Sequence, residues 1–125
     1  MAGQSVKNDN DTGVVSDLFY GKNSFLFTAD ITSKLEQTMV DDKINLSCDV
    51  LKVAHHGSKY STSDIFLQAA KPKIAVISCG KNNQYHFPTP EVLQRLNNFG
   101  IKVERTDTDG DIKMVSDGNN IYKVN

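Results

Sequence analysis

Apolar and polar positions alternate along this chain in short runs, each the length of one secondary-structure element. Val14 to Tyr20 and Ser24 to Thr28 are β-type runs separated by Gly21-Lys22-Asn23, a spacing that predicts a hairpin turning on the glycine. Phe25 and Phe27 alternate with Ser24 and Leu26, and the strand ends at Thr28-Ala29-Asp30 with a carboxylate at its tip. Ser33 followed by Glu36 fits a capping box, and Leu35, Met39 and Val40 recur at helical spacing, predicting a helix from Thr32 to about Asp41. Asp42 to Cys48 reads as polar linker. Val50 to Ala54 is β-branched and apolar, the pattern of a core strand.

Thr62 or Ser63 can cap a helix through Ile65, Phe66, Leu67, Ala69 and Ala70, which Lys71-Pro72 ends. Lys73 to Ser78 predicts a strand covered on both faces. Gly80 to Phe87 is a loop rich in turn formers. Thr89-Pro90 supplies a cap and a first-turn proline for a helix with the stripe Val92, Leu93, Leu96 and Phe99, and Gly100 is placed to end it. Ile101 to Arg105, Asp111 to Ser116 and Asn120 to Val124 predict a closing β-meander turning at Asp107-Thr108-Asp109-Gly110 and Asp117-Gly118-Asn119. The order of elements is that of a layered α/β domain with a βαβ-like middle.

Composition narrows the class. A chain of 125 residues suffices for one domain with a real core, and a formal net charge of −1 gives no global electrostatic case for nucleic acid or an anionic membrane. No apolar run approaches a membrane span and no signal-peptide pattern opens the chain, so as written it reads as soluble. The small, polar opening predicts a flexible arm over residues 1–13, with the domain from 14 to 125. Cys48 and Cys79 lack CxxC spacing and flank apolar segments, which predicts small buried hydrophobes rather than a disulfide or zinc knuckle.

Candidate chemistry collects at the predicted strand tips. Leu51 to Ala54 runs into His55-His56-Gly57-Ser58, two imidazoles, a permissive backbone and a hydroxyl, and Asp30 ends the neighbouring strand. Asp oxygen and His nitrogen suit a divalent metal such as zinc. The chain has three histidines and none in a His-x-His cluster, so a two-metal centre cannot be assembled from this sequence alone. Asp107 to Asp111 lacks the closing glutamate of a calcium loop, and neither a nucleophile elbow nor a phosphate-binding glycine loop occurs. Ser58 reads as a cap or supporting hydrogen-bond donor. Lysines 52, 59, 71, 73 and 81 with Arg95 read as solvated surface ahead of a nucleic-acid track, and Tyr60, Tyr85 and Phe87 suit either base stacking or core packing.

Several ordered motifs then carry a resemblance. Leu51 to Ser58, Ser61-Thr62-Ser63, Lys71 to Ser78, Gly80-Lys81-Asn82-Asn83, Tyr85 to Leu93 and Arg105 to Gly110 resemble the metallo-β-lactamase-like domain of the bacterial competence DNA-uptake channel family and its soluble relatives. Upstream, Tyr20 to Asp30 is similar to the family segment ending in Thr-Gly-Asp, with Ala29 in place of the usual glycine. The resemblance implies an α/β fold, the C-terminal half of an αββα metallo-β-lactamase-like sandwich. It implies that Asp30 bridges two zinc ions, that one of His55 and His56 is a terminal ligand, and that the other orients substrate. The family's His-x-His-x-Asp-His motif lies in the half that precedes Asp30, and nothing here supplies it.

The expected function is therefore the C-terminal part of a metal-dependent hydrolase, a phosphodiesterase or nuclease, with Ser58, Lys81 and His86 as substrate contacts. The alternative is a non-catalytic binding or structural module that keeps the fold. Expected partners are the N-terminal half of the domain or a second copy, and DNA or another phosphodiester. The resemblance implies a bacterial protein, at the outer face of the cytoplasmic membrane if it belongs to a competence channel.

Overall fold

The computed structural model describes residues 14–124. The expected arm, residues 1–13, lies outside them.

The hairpin forms as expected. β1 (Ser16–Tyr20) and β2 (Asn23–Phe27) pair antiparallel, and Gly21 turns with φ 58°. β2 then runs parallel to β3 (Val50–Lys52), β3 to β4 (Ile74–Ile77) and β4 to β5 (Lys102–Arg105), giving one five-stranded sheet in the order β1-β2-β3-β4-β5. The parallel strands are joined through α1 (Ser33–Asp41), α2 (Asp64–Ala70) and α3 (Pro90–Asn98). Leu35, Met39, Phe66, Leu67, Val92 and Leu96 are the helical faces that close the core.

The sheet is covered on one face only, which corrects the expectation for β4. Ala75 and Ile77 are buried while Ile74 and Val76, on the opposite face, remain half-buried. All the crossover helices that feed the core lie on the Ala75 side. The other face borders an open cavity of about 430 Å3 lined largely by apolar side chains, among them Leu18, Phe25, Val50 and Val76. Ile112 and Met114 from the C-terminal hairpin border the same cavity.

That hairpin is a second correction. The last three strands form no meander: β5 joins the main sheet, and β6 (Lys113–Ser116) pairs with β7 (Ile121–Val124) as a separate two-stranded unit. Asp107 to Gly110 is not a hairpin turn either, because Thr106–Asp109 forms a single helical turn, α4. Arg105 grips Asp107 through two contacts of 3.0 and 2.7 Å, and Thr106 Oγ1 accepts from the Cys79 N–H at 2.9 Å, so the chain curls at the sheet edge. Backbone contact anchors the separate hairpin to the first: Lys22 N–H donates to the Gly118 carbonyl at 2.6 Å. Lys123 also donates to the buried Glu104 at 2.7 Å.

Two local expectations also change. Glu36 makes no capping box, since it is fully buried and accepts from the N–H groups of Thr62 at 2.6 Å and Ser63 at 2.9 Å, capping α2 instead of α1. The segment Asp42 to Cys48 is not simply polar linker, for Leu46 and Cys48 are buried in the core. Both cysteines are free, Cys48 buried and Cys79 partly so. Burial pushes the Cys48 thiol up to about 12, and burial with the neighbouring Asp107 raises Cys79 as well. Folded protein at pH 8 should therefore react sluggishly with a disulfide reagent, Cys79 ahead of Cys48, and denaturant should release fast labelling of both.

Candidate functional site at the strand tips

The site residues come from the C-terminal ends of adjacent parallel strands, where open α/β sheets place their ligands. Beyond β2 the chain turns at Ala29, whose φ of 49° is left-handed, and Asp30 follows on the surface. Alanine thus adopts here a conformation that glycine takes without strain. Beyond β3, Ala54–Gly57 forms a tight turn in which His55 (φ 52°, ψ 40°) and His56 (φ 55°, ψ 24°) are both left-handed. Two consecutive non-glycine residues in this region are costly, and such strain concentrates at functional sites. The His55 N–H donates to the Ala29 carbonyl at 2.9 Å, tying the two tips together.

The two imidazoles have different surroundings. His56 is exposed, and its Nδ1 lies 2.7 Å from the Ser78 carbonyl at the end of β4. A carbonyl can only accept, so Nδ1 carries the proton and the neutral ring keeps its lone pair on Nε2. His55 is half-buried with its ring edge-on to Phe87, centroids 5.8 Å apart, and its buried Nδ1 has no hydrogen-bond partner. Lys52, at the end of β3, borders the open-face cavity together with Ser78 and Thr106. Burial lowers its ammonium below the ordinary lysine value, and the nearby Asp30 carboxylate acts the other way. In the sequence Lys52 reads as solvated surface ahead of a nucleic-acid track, and its place at a strand end is the signal that marks it as more.

The remaining expected residues divide. Ser58 and His86 border, with His55, a groove of about 370 Å3 between the histidine turn and the loop before α3. Ser58 is buried and its hydroxyl accepts from the Tyr60 N–H at 3.2 Å, so it braces the turn as a cap. Lys81 is exposed and is not among the groove's lining residues. Gly57 joins the two walls: its carbonyl accepts from Thr89 N–H at 3.0 Å, and a methyl added to it would lie 2.6 Å from Pro88 Cβ and 2.9 Å from Pro88 Cα. With φ at +87° as well, Gly57→Ala should cost about 2 kcal/mol. Urea denaturation would measure the shift, and loss of the groove would accompany it.

Among the described residues no group of three or more His, Cys, Asp or Glu side chains is disposed to hold a metal ion. Asp30 and an imidazole with its second nitrogen anchored on a carbonyl fit a metal as part of a shared donor set.

A family profile described as the metallo-beta-lactamase superfamily matches residues 7–81, and the chain belongs to that superfamily. The chain is 44% identical to ComE operon protein 3 of Bacillus subtilis over 104 residues, 83% of this chain and 13% of that protein. It is 39% identical to Recombination protein 2 of Haemophilus influenzae over 85% of this chain and 13% of the relative. It is also 39% identical to Competence protein ComA of Neisseria gonorrhoeae, over 82% and 15%. The chain thus spans about an eighth to a seventh of the length of these relatives. The mixed sheet with helices on one face is consistent with the metallo-β-lactamase fold. Among the described residues, no helix is long and apolar enough to cross a membrane.

Proposed function

We propose that this chain is the C-terminal part of a metal-dependent hydrolase acting on phosphodiesters, with half of its active site carried here. The observation that carries the reading is the His56 ring, anchored through Nδ1 on the Ser78 carbonyl and left with an Nε2 lone pair at the strand-tip edge that also bears Asp30. That is the arrangement by which a protein fixes the tautomer of a metal-binding histidine. Asp30 and His56 would hold zinc, and His55 would orient substrate. A bound divalent ion supplies a water acidic enough to attack at neutral pH. Lys52, beside Asp30, would meet anionic charge on the substrate.

The other half of the donor set would come from a segment that precedes this chain in a longer protein. The largely apolar open face of the sheet supports this, because one uncovered sheet face is what half of a face-to-face sandwich presents. A second copy of the chain is the competing occupant. DNA, or another phosphodiester, is the substrate class this reading implies, and the outer face of the cytoplasmic membrane is the location it suggests.

A second reading, a non-catalytic module that keeps the fold, is favoured by the lack of three converging donors among the described residues. Calorimetric zinc titration separates the two, done on the chain alone and joined to the upstream segment of its longer relatives. Stoichiometric zinc in the joined form, with chelator-sensitive hydrolysis of a phosphodiester that Asp30→Ala removes, is the result expected. A joined form that binds no zinc, or hydrolyses equally well after Asp30→Ala, would overturn the hydrolytic reading.

A further inference from the structure

The groove beside the histidine turn contains groups that neither the metal corner nor the core uses. Tyr60 rises from one wall and Tyr85 from the other, each 65% exposed, although large aromatic surface is costly to leave in water. Tyr85 stacks on Phe87 with centroids 5.6 Å apart and planes 20° from parallel, and Phe87 in turn meets the edge of His55. A continuous aromatic surface therefore runs from the loop before α3 to the strand-tip turn.

Both walls are held in place. Asn83 grips Phe87 reciprocally: its Nδ2 donates to the Phe87 carbonyl at 2.7 Å, and its Oδ1 accepts from the Phe87 N–H at 2.8 Å. On the opposite side, the segment beneath Tyr60 is clamped by Glu36 on the N–H groups of Thr62 and Ser63, and by Arg95 on the carbonyls of Lys59 and Ser61. The exposed rings thus sit on preorganised supports, which lowers the entropy cost of binding a flat ligand.

The polar groups choose among flat ligands. The one lysine bordering the groove, Lys59, lies 5.3 Å from the centre of the Tyr60 ring and 3.9 Å from a Glu91 oxygen, so its charge is largely balanced. The groove is a poor anion cradle. It borders on no amide side chain or aspartate, and the one carboxylate, Glu91, faces Lys59, so a sugar's many hydroxyls would go unmatched. A neutral heterocycle needs two ring faces and a few edge partners, which the tyrosines and the His86 imidazole can supply.

We propose that this groove is a nucleobase-stacking subsite, in which Tyr60 and Tyr85 hold a base of the phosphodiester processed at the adjacent strand tips. The proposal deepens the hydrolytic reading above and takes from it that the substrate is a nucleotide. Base capture is a stacking interaction separate from the metal corner, so it survives loss of Asp30.

The test titrates the chain with thymidine 5′-monophosphate, with oligothymidylate and with 2-deoxyribose 5-phosphate, following tyrosine resonances by NMR. Both base-bearing probes are expected to bind at least about tenfold more tightly than the sugar phosphate. Tyr85→Ala should lose about tenfold in affinity for them while Tyr85→Phe keeps it, with circular dichroism verifying the fold of each variant. Asp30→Ala should bind base-bearing probes as the parent does, so failure of the hydrolytic chemistry leaves this result standing. Tighter binding of oligothymidylate than of the mononucleotide assigns the site to a strand, and equal binding assigns it to a free nucleotide. Equal affinity for the sugar phosphate, or a Tyr85→Ala variant that binds as the parent does, would overturn the subsite.

Discussion

His56→Ala, made in this chain joined to its upstream segment, should lower zinc affinity and phosphodiester hydrolysis by more than about a hundredfold, beyond the 10- to 100-fold range typical of outer partners. The expectation rests on one proton. With Nδ1 committed to the Ser78 carbonyl at 2.7 Å, His56 offers a lone pair on Nε2 without tautomer rearrangement. His55 has no such anchor; its Nδ1 is buried without a partner and its ring packs on Phe87. His55→Ala should therefore leave zinc stoichiometry intact and act on substrate binding, raising KM more than it lowers kcat. Metal content measured by atomic emission, beside the two kinetic constants, separates the residues. Equal loss of zinc from both variants would remove the assignment of His56 over His55.

The sequence made the strand tips legible because their signals are local. An apolar run ending in His-His-Gly-Ser, and an aromatic run ending in an aspartate, mark where strands stop and polar groups begin; β2 ends within a residue of the expected Thr28, whereas β3 stops at Lys52, two residues short of Ala54, which already belongs to the histidine turn. The caps of α2 and α3 were legible for the same reason, since Ser63 and Thr89 act on amides three residues away. What the sequence did not reveal depends on distant partners. Glu36 stands three residues after Ser33 and so reads as a capping box, but its carboxylate is drawn to Thr62 and Ser63, 26 and 27 residues on. A local pattern loses there to the amides of the buried Thr62 and the half-buried Ser63.

The run Ile74-Ala75-Val76-Ile77 likewise reads as a strand covered on both faces, yet helices cover only one. Composition records that a face is apolar, not what lies against it, and here one face borders an open cavity. The choice between the two histidines was equally out of reach. It turns on the Ser78 carbonyl, which any residue at that position would supply.

Glu36→Ala should destabilise the fold by about 2 to 3 kcal/mol, read from the urea midpoint at constant m. Removing the carboxylate strips two amide donors of their acceptor, each worth about 1–3 kcal/mol when left buried, and relief of the charge's own desolvation offsets part of that. The loss should be felt at Tyr60, because the loop then keeps Arg95 on the Ser61 and Thr62 carbonyls and the Ser61 hydroxyl on the Ile31 carbonyl but loses its clamp at Thr62 and Ser63. Burial pushes the Glu36 carboxyl above its ordinary 4.5, and hydrogen bonds from Ser63 and Thr62 with the Arg95 charge oppose the rise without cancelling it. The native state then holds this proton more tightly than the unfolded chain does. The proton-linked part of the Glu36 contribution is accordingly full below the ordinary carboxylate value and is lost as pH rises through the raised one, while the hydrogen bonds accepted from Thr62 and Ser63 persist in the ionised form. Glu36→Gln, which cannot titrate, should flatten this part of the stability profile just above pH 4.5. An unchanged profile in Glu36→Gln, or a Glu36→Ala midpoint within about 0.5 kcal/mol of the parent, would show that the loop beneath Tyr60 is held without the Glu36 carboxylate, by Arg95, the Ser61–Ile31 hydrogen bond and packing.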